Sequence, residues 1–251
     1  MPLIDSYVLT DTGSRSNMED RYSLSLNDKS GLIVGGVYDG HGGVDVAENA
    51  SKIIPKEVVM NARNGVNIKD AFRKAFKVAS CEGQHLYIGS TALAFLIQGR
   101  TLIVANAGDC RMLLINEKNN VQLTTDHRVT NLDEFNRLIA SGATIRGNRV
   151  FYDEFGLNIS RALGDLAMKK VGVTEEPEVG VFKLPEKYIL IAATDGLWCY
   201  LKNDQVNQIV NFDLSAEEIG QELIRIIKLK SEKYNYLDNT TLIVLKKNGV
   251  E

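Results

Sequence analysis

Short apolar runs bounded by turn-forming residues recur along the chain and predict β-strands. The first covers residues 31–38 (GLIVGGVY), and two more flank Gly99-Arg100 at residues 91–98 and 101–107. The tight separation of that pair predicts an antiparallel hairpin. Further runs of this kind predict a second hairpin and two buried strands: residues 111–116 with 121–125, then 188–194 and 240–245.

Apolar positions at helical spacing predict four amphipathic helices between these strands. One covers residues 44–54, where Pro55 is predicted to end it, and another begins at a capping box formed by Ser215 and Glu218. The apolar faces of the other two consist of Phe72, Ala75, Phe76 and Ala79, and of Phe135, Leu138 and Ile139. Hairpins covered by a few helices indicate an α+β fold with antiparallel sheets. Without a repeat or a linker in the sequence, we expect a single domain over residues 1–251.

The composition is that of an ordinary globular protein and narrows the class of partner. The 32 acidic and 29 basic residues give a formal net charge of −3, which is too balanced for nucleic acid or an anionic membrane to be the main partner. Three widely spaced cysteines without a CxxC pair favour a reducing compartment over a disulfide framework. The apolar runs are shorter than the roughly 18 residues of a membrane span. We therefore expect a soluble monomer in the cytoplasm, with the nucleus as the alternative.

Four aspartates lie at the ends of strongly apolar runs. Asp39, Asp109 and Asp195 each follow a predicted strand, and Asp238 precedes the last one. A single Asp-Gly pair is common in plain turns. Four carboxylates at rigid strand ends are unlike a single turn. Strand pairing brings such positions together, so the four side chains are expected to lie near one another.

Clustered carboxylates repel one another unless cations neutralise them. Oxygen ligands without a Cys/His set favour Mg²⁺ or Mn²⁺ over zinc, and the histidines, His41, His85 and His127, form no HxxxH pattern. Two such ions about 3.5–4 Å apart can activate a water molecule and stabilise both oxygens of an in-line phosphoryl displacement. The sequence therefore predicts hydrolysis of a phosphoester, without identifying the substrate.

Nine short motifs, taken in order, resemble those of the metal-dependent protein phosphatases, the protein phosphatase 2C family. A motif such as DGHGG is weak by itself, but nine in sequence over almost the whole chain make the likeness specific. They are SRSNMED (14–20), VYDGHGG (37–43), GSTALAFLI (89–97), VANAGDCR (104–111), TTDHR (124–128), ISRALGD (159–165), EEPEV (175–179), ATDGLW (193–198) and DNTTLIVL (238–245).

The resemblance implies a fold, an activity and a metal site. The family fold is a four-layer sandwich of two antiparallel β-sheets flanked by helices. The implied activity is the hydrolysis of phosphoserine and phosphothreonine in signalling proteins, by a metal-activated bridging water and without a covalent intermediate. Asp39 would bridge two Mg²⁺ or Mn²⁺ ions, and the backbone carbonyl of Gly40 would bind the second ion. Asp195 and Asp238 would complete the protein ligands of the first.

Supporting roles follow from the same resemblance. Glu19 and Asp20 would orient metal-bound waters, which affects metal affinity and geometry. Asn239 would fix the loop that carries Asp238. Arg15 would bind the substrate phosphate, because its planar guanidinium suits bidentate contact with phosphate oxygens.

His41 is interpreted as the general acid that protonates the serine or threonine oxygen as it leaves. It lies next to Asp39 in the sequence, and histidine is the side chain most often used for proton transfer near neutral pH. The alternative is a histidine that only hydrogen-bonds a metal-bound water or a carboxylate.

Other motif residues are interpreted as structural. Arg161 and Asp165, in SRALGD, are expected to form an ion pair with each other. Ser90 and Thr91 are expected to pack in the core and bond the backbone, because nucleophilic serine chemistry requires a base and no GxSxG motif is present.

Two departures from the family pattern change the expectation. Cys199 stands where the family commonly has another aspartate, which helps to hold a third, weaker ion. Asp109 and Asp195 could still hold that ion, although a thiol is a poor ligand for Mg²⁺. We expect Cys199→Asp to strengthen metal dependence or turnover, unless Cys199 is only a small packing residue. Residues 166–174 are also fewer than in many relatives, where a longer flap shapes access, and this predicts an open site.

Two other functions stay open on the sequence. A catalytically inactive scaffold of the same fold is expected to lack metal carboxylates, yet Asp39, Asp195 and Asp238 are present together with Glu19 and Arg15. The second is a two-metal hydrolase of small phosphoesters. Metal-dependent phosphate release from phosphopeptides separates the three functions.

Overall fold

Two five-stranded antiparallel sheets form the centre of the protein, as seen in a computed structural model that describes residues 4–27, 31–82 and 85–249. The first sheet has the order β1 (Asp5–Asp11), β16 (Thr240–Lys247), β15 (Tyr188–Ala193), β8 (Arg111–Ile115) and β9 (Asn120–Gln122). The second has the order β14 (Glu178–Lys183), β7 (Thr101–Ala107), β6 (Ala92–Gln98), β3 (Leu32–Tyr38) and β2 (Arg21–Asn27).

The inner faces of the two sheets pack together and form the central core. Phe95 and Leu102 of the second sheet are buried in one cluster with Leu190 and Ile243 of the first. Such side chains are apolar and alternate along their strands, so each sheet buries one face against the other. Both predicted hairpins are confirmed, and Gln98 pairs with Thr101 across the first turn.

Helices cover the outer face of each sheet. The helices α1 (Asp45–Arg63) and α2 (Ile68–Cys81) pack on the second sheet, where Ile54 and Phe72 join its buried residues. The helices α4 (Asp195–Trp198), α5 (Asn203–Ile209) and α6 (Ala216–Ser231) cover the first sheet. The predicted four layers, helix, sheet, sheet and helix, are therefore confirmed.

The predicted end of the first helix is wrong, because α1 continues through Pro55 to Arg63. Proline removes one backbone hydrogen bond and disturbs a helix by about 3 kcal/mol or more. The buried face of α1 extends across it, with Ala50 and Ile54 before the proline and Val58 after it. Burial of each large apolar side chain contributes roughly 1.5–3 kcal/mol, so packing on the sheet outweighs the proline.

Two small antiparallel sheets were not predicted. One consists of β13 (Leu163–Gly164), β5 (Gly89–Ser90) and β4 (Gly40–His41), and the other of β10 (Thr144–Arg146), β11 (Arg149–Tyr152) and β12 (Phe155–Leu157). The helix predicted from Phe135, Leu138 and Ile139 is α3 (Leu132–Ala140), which is capped by the Asn131 side chain and packs beside the second small sheet. Within the described residues, every helix is too short or too polar to cross a membrane.

Candidate metal and phosphate site

A cavity of about 330 Å³ opens where strands of the two large sheets end. Its walls include Asp39 and Asp109, which follow β3 and β7 of the second sheet. The first sheet contributes Asp195, directly after β15, and Asp238, just before β16, to the same walls. The cavity is therefore bounded by acidic residues that the two sheets position from opposite sides.

Asp39, Asp109 and Asp195 form one close group of carboxylates in this cavity. One ligand oxygen from each lies within 4.8 Å of the others. Desolvation and the charges of Asp20 and Asp195 hold the pKa of Asp39 well above its ordinary value. Desolvation and the charge of Asp195 raise the pKa of Asp109 to about 7, although Arg128 opposes the shift.

A bound cation would reverse these pKa shifts, since an opposite charge favours the ionised carboxylate. The donors are all oxygens, which suits Mg²⁺ or Mn²⁺. The residues present therefore fit the metal ions that the sequence motifs imply.

Asp20 and Asn239 support this group from behind. Asp20 is buried, and its Oδ2 accepts a hydrogen bond of 2.8 Å from the Thr194 hydroxyl. Its Oδ1 has no hydrogen-bond partner among the described residues, and burial raises the pKa of Asp20 to about 7. The Asn239 side chain accepts a bond from the Glu19 backbone N–H at 2.8 Å and donates one to the Thr12 carbonyl at 2.8 Å. Asn239 thereby ties the segment that carries Glu19 to the start of β16.

Gly40 lies in β4 immediately after Asp39, where the backbone passes close to the Glu19 segment. A Cβ atom at Gly40 would lie 2.6 Å from the Glu19 carbonyl oxygen. Thr91 fixes Asp39 itself: its hydroxyl accepts from the Asp39 N–H at 3.1 Å, and its N–H donates to the Asp39 carbonyl at 2.9 Å. Ser90 is buried and its hydroxyl donates to the Thr91 carbonyl, so the predicted burial and backbone hydrogen bonds of Ser90 and Thr91 are confirmed.

Arg15 and Asp238 form an ion pair at the edge of the cavity. Arg15 Nη2 lies 2.8 Å from Asp238 Oδ2, and Arg15 Nε donates to the Tyr236 hydroxyl at 2.6 Å. The same hydroxyl donates to Asp238 Oδ2 at 3.0 Å. Tyr236 was not predicted from the sequence, where only its position two residues before Asp238 could have indicated a role.

Arg128 places a positive charge beside Asp109 and Asp195, and this role was not predicted from the sequence. Its Nη2 lies 2.9 Å from Asp109 Oδ2 and 3.3 Å from Asp195 Oδ2. A β-bridge to Ile159 holds its backbone. Cys199 donates from its thiol to Asp195 Oδ2 at 3.6 Å. The two aspartates considered for a third ion thus already share one guanidinium of the chain.

The predicted ion pair between Arg161 and Asp165 is wrong. Arg161 Nη2 lies 2.7 Å from Glu134 Oε1, whereas Asp165 Oδ2 lies 2.6 Å from His41 Nε2. Asp165 is fully buried beside β13, and its side chain faces β4 rather than Arg161. Proximity in the sequence was misleading, because the small sheet turns the two side chains toward different partners.

The small sheet β10–β11–β12 and the residues after it form another wall of the cavity. Arg149, Leu157, Asn158 and Ile159 line it from there. The expectation of an open site rested on residues 166–174, which form a short 3₁₀ helix (Met168–Val171) and do not line the cavity. The wall instead comes from residues ahead of the SRALGD motif, so the short segment does not by itself determine access.

Comparisons with known proteins identify the family to which the sequence is similar. The sequence model for "Protein phosphatase 2C" matches residues 8–239. "Probable protein phosphatase 2C 2" of Arabidopsis thaliana is 34% identical over 207 residues, which are 78% of this chain and 54% of that protein. "Probable protein phosphatase 2C 54" of Oryza sativa subsp. japonica is 30% identical over 98% of this chain and 73% of that protein. The chain thus spans about half the length of the Arabidopsis relative.

A solved structure shares the fold. The crystal structure of a serine-threonine phosphatase 2C from Toxoplasma gondii aligns with a TM-score of 0.85 at 22% identity. The alignment covers 99% of this chain and 98% of that one.

Proposed function

The chain belongs to the protein phosphatase 2C family, and from this premise we propose that it hydrolyses phosphoserine and phosphothreonine in proteins with Mg²⁺ or Mn²⁺ as cofactor. The observation that carries the proposal is the convergence of Asp39, Asp109 and Asp195 within 4.8 Å in a cavity that also contains Arg15 and His41. Such a cavity offers ligands for divalent cations, a phosphate-binding cation and a proton donor in one place.

Four groups are proposed to hold two ions. Asp39 would contact both, Asp195 and Asp238 would complete one, and the Gly40 carbonyl would bind the other. When bound, the ions would lower the pKa of a water molecule and neutralise charge on the phosphoryl oxygens. Glu19 and Asp20 are proposed to position solvent at the ions, which suits the unpartnered Oδ1 that Asp20 presents among the described residues.

Arg15 is proposed to bind the substrate phosphate. The ion pair with Asp238 and the bond to Tyr236 engage Nη2 and Nε, which leaves the other N–H groups of the guanidinium for phosphate oxygens. The side chain is 48% exposed, so a phosphoprotein can reach it. Tyr236 contacts both members of the ion pair and therefore fixes the guanidinium at the cavity edge.

His41 is proposed to donate a proton to the serine or threonine oxygen as the bond to phosphorus breaks. It lines the same cavity as the carboxylates and is partly exposed, with 24% of its side chain accessible. The alternative of a catalytically inactive scaffold is disfavoured, because the carboxylates are retained and lie close together.

Phosphate release tests the proposal. Phosphoserine and phosphothreonine peptides are incubated with the protein and Mn²⁺, with EDTA and the Asp39→Asn variant as controls. We expect release that requires both the metal and Asp39. Release from p-nitrophenyl phosphate but from neither peptide class would favour a hydrolase of small phosphoesters. An inactive scaffold would release phosphate from none of these substrates.

A further inference from the structure

The small sheet β13–β5–β4 brings His41 and Asp165 together although they are 124 residues apart. Gly89, in the middle strand, pairs with His41 on one side and Gly164 on the other. His41 Nε2 and Asp165 Oδ2 lie 2.6 Å apart next to it. A Cβ atom at Gly89 would lie 2.0 Å from that oxygen and 2.5 Å from that nitrogen. Only glycine leaves room for the contact between the two side chains.

The surroundings of Asp165 are unfavourable for a carboxylate. It is fully buried, and its backbone has φ +45°, a conformation that residues other than glycine adopt at some cost. Its Oδ1 has no hydrogen-bond partner within the described ranges. Arg161, the nearby arginine of the same motif, is engaged by Glu134 instead. Burial of a carboxylate with an unpartnered oxygen costs free energy, and the hydrogen bond with His41 is the contact that offsets this cost.

We propose that Asp165 is a positioning residue for proton transfer by His41, an inference that rests on the proposed function. The Asp165 carboxylate accepts the hydrogen on Nε2 and fixes the imidazole in one orientation. Nδ1 is then the nitrogen available to the cavity.

The proton in this step moves from Nδ1 of His41 to the serine or threonine oxygen. That oxygen keeps the electron pair of the P–O bond as the bond breaks, while a water oxygen forms the new P–O bond and releases a proton to solvent. The imidazole remains neutral with its hydrogen on Nε2, bonded to Asp165, and Nδ1 regains a proton from solvent. Asp165 itself stays ionised throughout, as an orienting carboxylate does in other histidine pairs.

The role predicts a dependence on the leaving group. A serine or threonine alkoxide is a poor leaving group and requires a proton, whereas p-nitrophenolate leaves with little help. A defect in the His41–Asp165 pair should therefore reduce kcat for a phosphothreonine peptide far more than for p-nitrophenyl phosphate. A purely structural defect would reduce both to the same extent.

Asp165→Asn tests this dependence, because asparagine tolerates positive φ and keeps the side-chain shape. We expect kcat for the peptide to fall about 10–100-fold, the usual effect of losing an orienting partner. The fall for the aryl phosphate should be smaller by at least about tenfold. Asp153→Asn is the matched control, since Asp153 also has positive φ (51°) but is exposed in the turn after β11. Equal falls on the two substrates, or no fall, would overturn the proposal.

A spectroscopic measurement tests the pair without catalysis. Imidazole ¹⁵N and ¹H resonances are recorded for the Mg²⁺-loaded protein, and His41→Gln assigns those of His41. We expect a low-field proton on Nε2 in the wild type and its loss in Asp165→Asn, with the control Asp153→Asn unchanged. Identical His41 resonances in wild type and Asp165→Asn would contradict the pair. Because this readout requires no turnover, a protein without phosphatase activity could still show the pair, which separates the two proposals.

Discussion

The carboxylates of the cavity and the carboxylate of Glu134 differ in how their negative charge is compensated. In the cavity, Asp39, Asp109 and Asp195 face one another, and their pKa values lie above the ordinary range because of desolvation and mutual repulsion. At α3, Glu134 is buried, yet hydrogen bonds from Arg161 and Arg137 outweigh desolvation and lower its pKa well below that range.

The difference lies in where the compensating charge comes from. Glu134 receives it from the chain: Arg161 Nη2 at 2.7 Å, Arg137 Nη2 at 2.8 Å and the Ser160 hydroxyl at 2.6 Å. Among the described residues, the group Asp39, Asp109 and Asp195 has one such partner, Arg128, which contacts Asp109 and Asp195 but not Asp39. In a centre neutralised from within, removal of one partner is destabilising, because it leaves the other charge uncompensated. A centre left acidic is suited to bind cations from solution, at some expense of stability in their absence.

The largest effect that this comparison predicts follows from Asp39→Asn. Without the carboxylate, metal-dependent kcat on phosphopeptides should fall by roughly 10²–10³-fold or more, the effect of removing a group that stabilises transition-state charge. In EDTA the same variant should be more stable than wild type, because one member of a repelling group is neutral. We expect Tm to rise by roughly 2–4 °C, which corresponds to about 1 kcal/mol in a protein of this size.

Asp11→Asn is the matched control for this change. Asp11 also ends a strand, β1, but it lies outside the cavity, its Oδ1 accepts from the Gly13 N–H at 2.9 Å, and its Oδ2 pairs with Lys228 Nζ at 2.5 Å. We expect activity to stay at the wild-type value and stability in EDTA to stay the same or to fall by less than about 1 kcal/mol, because a surface ion pair is lost rather than a repulsion. A loss of stability in Asp39→Asn would contradict the claim that the cavity carboxylates repel one another.

Glu134→Gln tests the opposite centre and should change stability in the other direction. Removing one partner of a buried pair leaves uncompensated charge on Arg161 and Arg137, which typically costs about 3–5 kcal/mol. Urea unfolding at neutral pH measures the loss. The control is Glu222→Gln on α6, because Glu222 and Arg225 form the same i,i+3 pair at an exposed position. That change should stay below about 1 kcal/mol. Equal losses in both variants would show that burial of Glu134 adds nothing.

The cavity carboxylates could be predicted from the sequence, whereas their partners could not. Asp39 and Asp195 are recognisable because each follows an apolar strand, and strand ends meet wherever strands pair. The arginine that contacts Asp109 is 19 residues away in the numbering, and nothing local in TTDHR distinguishes Arg128 from a surface residue. Partner choice is a tertiary property, so sequence reasoning paired Asp165 with its neighbour Arg161 and missed His41.

The fold followed the same rule. Long apolar strands and capped helices predicted antiparallel hairpins covered by helices, since each pattern is local, whereas the four-layer arrangement came from the family resemblance. The two-residue strands β4, β5 and β13 are too short to carry a pattern, yet they hold His41 against Asp165. The predicted helix end at Pro55 is wrong for the opposite reason. The local pattern was clear, but burial of α1 on the sheet outweighs the helix-breaking effect of proline.

Acid should weaken the Glu134 centre. The pKa of Glu134 is lowered in the folded protein, and an unfolded glutamate titrates near pH 4.3. The unfolded chain therefore binds the proton first, and the stabilisation present above about pH 4.3 is lost as the pH falls toward the folded-state pKa. We expect the difference in unfolding free energy between wild type and Glu134→Gln to be constant from pH 7 to about pH 5 and to shrink at about pH 3. A difference that stays constant down to about pH 3 would contradict the ion-pair account.

The smallest predicted effect concerns Cys199, which lies beside Asp195, so that compensation by a metal ion and compensation by an arginine can be compared at one place. Desolvation and the Asp195 charge raise the pKa of the Cys199 thiol to about 12, with Arg128 opposing the shift, so the thiol is neutral and a poor ligand. A new carboxylate in Cys199→Asp would meet the Arg128 guanidinium, which already contacts Asp109 and Asp195. We therefore expect the single variant to bind the same number of Mn²⁺ ions as wild type, with affinities changed only a few-fold, and this replaces the stronger metal dependence expected from the sequence alone.

Removing the positive charge of Arg128 together with the Cys199→Asp change should reveal whether this charge excludes an additional ion. In the double variant Cys199→Asp with Arg128→Gln, three carboxylates lack a positive partner from the chain, and we expect one additional Mn²⁺ ion by calorimetric titration. Arg128→Lys with Cys199→Asp is the control, because lysine keeps the charge and should keep the wild-type number of ions. An additional ion in the single variant would mean that Arg128 does not act as the fixed cation of this half of the cavity. The absence of an additional ion in the double variant would mean that the carboxylates there are unable to hold one, with or without the arginine.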